Sequence, residues 1–348
     1  MAEARSRGAP SLRQREDICL GVIIPCRNEA RVIARRLESL KLNGLPEGLV
    51  RAKLVVVDDG SSDETKKIAS EICRGMVGWS AEVIANTDRK GKNGAVRTGL
   101  DHFGSQVDVV VLTDADVITN ANALAALAAA FRGEPELGMA TGVQRLHEAL
   151  PAAAAELCGE AAMGLYDSWT RSVRRFESRR GRLFSVHGQL LAWRADLGLT
   201  PGDLAADDLD LMLQLRSRHP KRTVRMVEGA VFHEERSPAR SDQDLRRARA
   251  FLQALPKMRA SGLGAQAWFY GRVPALAPVI SAVSFSGVAL SVGLVGGVGM
   301  LSIFVALSAL GILHPAMRRL LSLLVVIERA RRAERAESMS ASWETARA

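Results

Sequence analysis

Short apolar runs recur along the first third of the chain, and the stretches between them carry apolar residues at helical spacing. Leu20-Gly21-Val22-Ile23-Ile24-Pro25 reads as a strand stopped by Pro25, and Leu54-Val55-Val56-Val57 as a continuous apolar strand. Ala81–Ala85 and Val107–Thr113 are two more. Continuous rather than alternating apolar runs suit strands buried on both faces of a parallel sheet. Between them, Val32, Ile33, Leu37 and Leu40 mark a helix over about 29–42, a second helix follows Ser61-Ser62-Asp63, and a third starts near Ala95. Strand and helix alternating in this way predict an α/β domain with a mostly parallel sheet flanked by helices.

Further along, Ala121 to Phe131 is an Ala-rich helix. Residues 152–180 read as a long helical stretch ending in Arg174, Arg175, Arg179 and Arg180. That basic run is either a solvated helix face or a contact for lipid phosphates. Asp207 to Arg218 reads as another helix. From Val273 to Leu313 no residue is charged. A single membrane span needs roughly 20 apolar residues, so the run is long enough for two helices joined near Gly296-Gly297; a buried soluble hairpin is the other reading. Arg272 before it and Arg318-Arg319 after it place both flanks in the cytoplasm by the positive-inside rule. The expected organisation is a disordered arm over 1–17, a catalytic domain over 18–255 and an interfacial linker over 256–272. Two transmembrane helices over 273–314 and an interfacial segment with a charged tail over 315–348 complete it.

Composition narrows the partners. The 348 residues carry a formal charge of +9, which suits nucleic acid, an anionic membrane surface or an anionic substrate. Aromatic residues are only 5%, and neither a zinc spacing nor an aromatic-studded basic strand is present, so nucleic acid is disfavoured. Cys19, Cys26, Cys73 and Cys158 have no metal-type spacing and suggest a reducing compartment. The first 17 residues are charged and lack the apolar core of a cleavable signal.

The chemistry sits where strands end. Ligands of open α/β sheets bind beyond the carboxyl ends of the strands. Pro25-Cys26-Arg27-Asn28-Glu29 follows the first strand. Asp58-Asp59-Gly60-Ser61-Ser62-Asp63 follows the second, where Gly60 permits a sharp turn and close approach to a ligand. Arg89-Lys90-Gly91-Lys92-Asn93-Gly94 follows the third, with cations and bare backbone suited to a nucleotide. It lacks the first Gly of a P-loop, and no Gly-x-Gly-x-x-Gly follows any strand, which argues against a dinucleotide dehydrogenase. Asp114-Ala115-Asp116 ends the fourth strand. Such acids can cap the next helix. Two carboxylates one residue apart also suit Mg²⁺, which is usually held by one or two carboxylates and substrate phosphates. Asp207, Asp208 and Asp210 open a helix, where its dipole favours them and where a carboxylate could act as general base. Gln243, Arg246, Arg247 and Arg249 lie on one further helix, and arginine forks suit diphosphate oxygens.

Taken in order, Pro25–Glu29, Asp58–Asp63, Gly91-Lys92, Asp114-Ala115-Asp116, Asp207-Asp208 and Gln243-x-x-Arg246 resemble the family 2 glycosyltransferases over about residues 18–255. The resemblance implies the GT-A fold, a nucleotide-sugar-binding α/β domain, and a Mg²⁺ or Mn²⁺ cofactor. It implies that Pro25, Arg27, Glu29, Asp58, Asp59, Lys92, Asp114, Arg246 and Arg247 contact the donor, with Asp58 and Asp59 at its nucleoside. Asp116 would hold the metal and Asp208 would be the base, with Asp207 standing where the family often has Glu. Gly188 and Gln189 match the family's acceptor loop; His187 before them either touches the acceptor or packs as an ordinary buried histidine. Asp207 and Gln243 would complete the acceptor side. The family's membrane-bound synthases usually carry Trp after the Gln-x-x-Arg element; here Arg247 stands there, which argues against long-chain processive synthesis.

The expectation is an inverting, metal-dependent glycosyltransferase on the cytoplasmic membrane, its catalytic domain facing the cytoplasm. It would use a nucleotide-sugar donor and a hydroxyl of a lipid, lipid-linked or cell-envelope glycan acceptor. A sugar nucleotidyltransferase and a non-catalytic nucleotide-sugar-binding membrane protein are the alternatives. The first would carry a Gly-rich, Arg-bearing loop after strand one, and the second has no need of the intact acids.

Overall fold

The computed structural model describes residues 17–43, 45, 50–157, 165–202, 204, 206–235, 249, 252–254, 256–258 and 329. Strands β1 (Ile18–Cys26), β2 (Val50–Asp58), β3 (Ser80–Ala85) and β4 (Val109–Thr113) alternate with helices α1 (Ile33–Lys41), α2 (Thr65–Arg74) and α3 (Lys92–Phe103). The short strand β5 (Ile118–Thr119) follows, then α4 (Ala123–Gly133) and β6 (Leu137–His147). Helix α5 (Leu165–Arg179), β7 (Leu190–Arg194), α6 (Asp207–Arg218) and β8 (Thr223–Glu235) complete the described elements.

All eight strands form one sheet in the order β3-β2-β1-β4-β7-β6-β8-β5. The first four are parallel. Beyond β4 the sheet is mixed: β7 runs antiparallel to both β4 and β6, β8 is parallel to β6, and β5 is antiparallel to β8. The expectation of a mostly parallel sheet therefore holds for its first half only. The three longer strands of the second half, β6 to β8, had no counterpart in the sequence reading.

Strands β1 and β4 are buried along their whole length, as their continuous Val/Ile/Leu runs require. The core on one face takes Ile33, Leu37 and Leu40 from α1 and Leu124, Leu127 and Phe131 from α4. Pro25 does not stop β1. The strand runs to Cys26, with Pro25 in register with Val57. Pairing of β1 to β4 ends at Ile23, so Pro25 lies where one side of the strand already lacks a neighbour and a missing N–H is tolerated.

Two helices differ from expectation. Helix α3 begins at Lys92, so Lys92 and Asn93 belong to its first turn and not to a loop. The stretch 152–180 is not one helix: a single 3₁₀ turn at Ala154–Glu156 precedes α5. All labelled elements belong to one compact unit, residues 1–238 with 341–345; residues 239–340 with 346–348 form a second. No helix among the described residues is long and apolar enough to cross a membrane, and the apolar run 273–313 lies outside them.

Candidate active site

Strands β1, β2 and β4 end at one rim. Cys26 pairs with Asp58, and the Asp59 N–H donates to the Cys26 carbonyl at 2.9 Å, which locks the first two loops side by side. Asn28 has φ +55°, a left-handed conformation that Asn tolerates better than most residues. Its backbone N–H donates to Ser61 Oγ at 3.0 Å, and its side-chain oxygen accepts from the Ser62 N–H at 2.8 Å. The loop of Pro25, Arg27 and Glu29 thereby fits against the turn at Gly60, whose φ of +76° confirms the sharp turn expected there. The Glu29 N–H donates to Thr65 Oγ1 at 2.7 Å.

The two acids after β2 are buried and have different tasks. Asp58 turns inward and accepts from the Ser61 N–H at 3.2 Å and from the Ser61 hydroxyl. Asp59 accepts from Asn86 Nδ2 at 2.6 Å and from the Gly91 N–H at 2.9 Å, with Arg27 at 4.0 Å. It thus ties the third loop to the second. Gly94 has no room for a side chain, because a Cβ there would lie 1.8 Å from the Arg89 carbonyl oxygen.

Lys92 is the centre of the rim. Its Nζ lies 2.7 Å from Asp114 Oδ1 and 3.2 Å from Asp207 Oδ2, and so joins α3, the β4 loop and α6. Burial alone would lower its pKa, but the Asp114 and Asp207 charges outweigh that and hold the ammonium well above its ordinary range. Burial pushes the Asp114 carboxyl upward while Lys92 pulls it down. The short contact to a firmly cationic Lys92 identifies the two as an ion pair. Asn93 sets this geometry: its side-chain amide donates to the carbonyls of Gly202 at 2.7 Å and Leu204 at 3.2 Å, just before α6.

Asp208 follows. Its Oδ2 accepts from the Gly188 N–H at 3.2 Å and its Oδ1 from the Leu209 N–H at 2.7 Å. Burial first, and the adjacent Asp207 second, raise its pKa to about 6; the two backbone N–H groups and Lys92 oppose the rise. Such a value suits a general base near neutral pH. Asp210 is structural, accepting from the Gly202 N–H at 2.8 Å and from Gln214 at 2.9 Å.

The acceptor loop is fixed from below. The Gln189 carbonyl accepts from Thr113 Oγ1 at 2.8 Å, and the His187 N–H donates to Thr141 Oγ1 at 3.0 Å. The His187 ring meets Arg174 and stands edge-on to Phe232 with centroids 5.5 Å apart.

Arg36 was missed by the sequence reading. It is wholly buried on α1, in the same stripe as Ile33, Leu37 and Leu40. Its guanidinium donates to Thr113 Oγ1 at 2.9 Å, Thr119 Oγ1 at 3.1 Å and Ser39 Oγ at 3.0 Å. Thr113 and Thr119 bracket the Asp114-Ala115-Asp116 loop, so Arg36 clamps both its ends. Burial lowers the Arg36 pKa to about 9, and the nearby Asp114 and Asp116 favour its charged form. The signal was an arginine at an apolar position of the helical repeat.

The donor set fits a hard divalent cation. Among the described residues no cluster of three or more His, Cys, Asp or Glu forms a ready cage. One or two carboxylates completed by substrate phosphates is the usual provision for Mg²⁺. Asp116 can supply it, because Asp114 is engaged by Lys92. The register also sets His233 of β8 opposite Ile118, two residues past Asp116; burial and the neighbouring His147 lower its pKa to about 4, so the ring is neutral. Of the expected site residues, Pro25, Arg27, Glu29, Asp58, Asp59, Lys92, Asp114, Asp116, Asp207, Asp208 and the loop 187–189 lie at or beside this rim. Gln243, Arg246 and Arg247 lie outside the described residues.

The mixed sheet thus carries acid-bearing loops on one rim, joined through Lys92 to the carboxylates at the start of α6. Residues 21–146 match the family described as "Glycosyl transferase family 2". The chain is 30% identical over 122 residues to the dolichyl-phosphate beta-glucosyltransferase of Mus musculus, covering 34% of this chain and 37% of that protein. It is 22% identical over 200 residues to the poly-beta-1,6-N-acetyl-D-glucosamine synthase of Staphylococcus epidermidis, covering 56% and 45%. The chain therefore spans less than half the length of these relatives. Among solved structures it resembles the Pyrobaculum calidifontis mannosyltransferase determined with GDP-Man and Mn²⁺, with a TM-score of 0.66, 21% identity, and 93% and 88% of the two chains covered. That likeness is one of fold.

Proposed function

We propose that the chain is an inverting, metal-dependent glycosyltransferase that moves a sugar from a nucleotide-diphosphate sugar to a lipid or lipid-linked acceptor. The observation that carries this is Lys92, which bridges Asp114 on the donor side to Asp207 beside the base, so that donor and base share one rim. Asp59 and Arg27 sit where a nucleoside would meet the β1 and β2 loops. Asp208, held by two backbone N–H groups, takes the proton from the acceptor hydroxyl. That oxygen attacks the anomeric carbon from the face opposite the diphosphate. Gly188 places the acceptor loop against Asp208. Asp116 would hold a divalent cation, which would supply Lewis-acid stabilisation of the departing diphosphate. Arg246 and Arg247 are assigned to the same oxygens by the family pattern.

The apolar run 273–313 and its arginine flanks support a membrane anchor with the catalytic domain on the cytoplasmic side. An anchored enzyme suits an acceptor that is itself in the membrane, and the mouse relative is named for a lipid phosphate. The test is a thermal-shift panel of nucleotide sugars with Mn²⁺, since a ligand that binds the native state raises its apparent stability. One nucleotide-sugar series should raise the melting temperature in a Mn²⁺-dependent way. No shift with any of them would remove the proposal. Release of pyrophosphate in place of nucleoside diphosphate would favour a nucleotidyltransferase.

A further inference from the structure

Pro201, Gly202 and Leu204 lead into α6, which carries the base, and all three give their carbonyls to α3 or to the loop before it. The Gly202 carbonyl accepts from Asn93 at 2.7 Å and from Arg89 at 3.4 Å, and the Leu204 carbonyl from Asn93 at 3.2 Å. The Pro201 carbonyl accepts from Arg97 Nη1 at 2.8 Å. The Gly202 N–H turns the other way, to Asp210 in the first turn of α6 at 2.8 Å. This lead-in is therefore held between two helices, just ahead of Asp207 and Asp208.

Arg97 differs from the other two donors, because it also reaches back towards the donor side. Its Nε meets the Asp88 carboxylate, the contact that most lowers the Asp88 pKa. The Asp88 N–H donates to Asn86 Oδ1 at 3.0 Å, and Asn86 Nδ2 donates to Asp59 at 2.6 Å. Asn86 is anchored to α3 as well, its Oδ1 accepting from Thr98 at 2.8 Å. Contacts thus run without a break from Asp59, at the nucleoside end of the donor, through Asn86, Asp88 and Arg97 to Pro201. A planar guanidinium suits this place, since it holds a carboxylate and a carbonyl in fixed directions at once. The Arg97 side chain is 20% exposed and that of Asp88 37%, and an ion pair so open to water contributes little to stability. Its value lies in placement. We propose that Arg97 is a positioning residue for Asp208, setting the lead-in to α6 from the loop that receives the nucleoside end of the donor. This rests on the glycosyltransferase reading of the site and adds to it a residue that lies outside every motif named above.

The test uses the full chain with Mn²⁺ and whichever of UDP-glucose, UDP-N-acetylglucosamine and GDP-mannose raises its melting temperature. Release of nucleoside diphosphate is followed with n-octyl β-D-glucoside as the hydroxyl acceptor and with water alone; labelled donor makes slow rates measurable. A contact path does not by itself show coupling, so the decisive comparison is a double-mutant cycle. In Arg97→Met, kcat should fall about 10- to 100-fold, the cost of moving a catalytic group by about 1 Å. Donor KM and the donor-induced thermal shift should stay within about twofold of wild type, and the melting temperature of the free protein within about 3 °C. Arg97→Lys keeps a donor for Pro201 and should recover part of the loss. In an Asp208→Asn background the same Arg97→Met change should cost less than about twofold, because no base is left to place. Asp88→Asn, at an exposed residue, should lower kcat by about threefold or more, and by less in the Asp208→Asn background; it decides the matter if Arg97→Met does not fold. An unchanged kcat in either variant, a loss confined to donor KM, or an equal loss in both backgrounds would overturn the proposal. Absence of any donor shift, or of any nucleoside diphosphate release by the wild type, overturns the glycosyltransferase reading and this proposal with it. Normal wild-type turnover that Arg97→Met leaves intact overturns this one alone.

Discussion

Replacing Asp208 by Asn should abolish turnover and flatten one part of the pH dependence of stability. In the folded protein the Asp208 pKa is raised from 3.8 to about 6, by burial and then by Asp207. Between those values the native state binds more protons at this site than the unfolded chain, so stability falls as pH rises through the window. A tenfold difference in proton affinity between the two states corresponds to about 1.36 kcal/mol, which gives a total near ~3 kcal/mol once the group is fully ionised. Some of that is already lost at pH 4, so the change between pH 4 and pH 7.5 is about 2 kcal/mol. The amide of Asn cannot accept from both the Gly188 and Leu209 N–H groups, which adds an offset. That offset is the same at both pH values, so the difference of differences isolates the charge. The assay is urea unfolding of both proteins at pH 4 and 7.5. The destabilisation caused by Asp208→Asn should be about 2 kcal/mol smaller at pH 7.5 than at pH 4, or become a stabilisation. Transfer should fall by about 10²–10⁴ at all pH values. An equal effect of the mutation at both pH values would show that Asp208 carries no raised pKa, and undiminished transfer would remove it as the base.

Other perturbations follow from the same geometry. Lys92→Met removes the cation that holds Asp208 down, so the acidic limb of the pH–rate profile should move upward from its wild-type midpoint near 6, and donor KM should rise about tenfold; an unmoved limb would deny the coupling. Arg36→Met frees Thr113 and Thr119 while exchanging a buried charge for an apolar chain, a swap that is often nearly neutral for stability. Its melting temperature should change little, whereas Mn²⁺ affinity, read by electron paramagnetic resonance with donor present, should fall about tenfold. Wild-type affinity would mean the clamp does not set the Asp116 loop. Chelation by EDTA should stop transfer and excess Mn²⁺ should restore it; full activity in EDTA would refute the metal role.

Much of the rim was legible because each of its loops follows a continuous apolar run, and such runs end where a parallel sheet ends. Asp58, Asp59, Asp114 and Asp116 could be placed that way, and Asp207 and Asp208 from their position before a helical repeat. The second half of the sheet was not legible. Strand β6 holds Gly138, Thr141 and Gly142 among its apolar residues, and β8 holds Arg225, Glu228 and Gly229. Neither presents an uninterrupted run, because their pairing and not their composition makes them strands. Buried polar groups were equally hidden. Arg36, Asn93 and Arg174 owe their roles to partners 13 to 111 residues away in sequence, and no local pattern shows that. The double duty of Lys92 was also invisible, since its second carboxylate, Asp207, lies on α6.

The central claim is transfer by direct displacement at the anomeric carbon of a nucleotide sugar. Proton NMR of the isolated product, run beside phosphorus NMR of the reaction, tests it most directly. An inverting enzyme gives a product anomer opposite to that of the donor and one nucleoside diphosphate for each sugar transferred. A product with the donor's own anomeric configuration, or release of pyrophosphate, would contradict it.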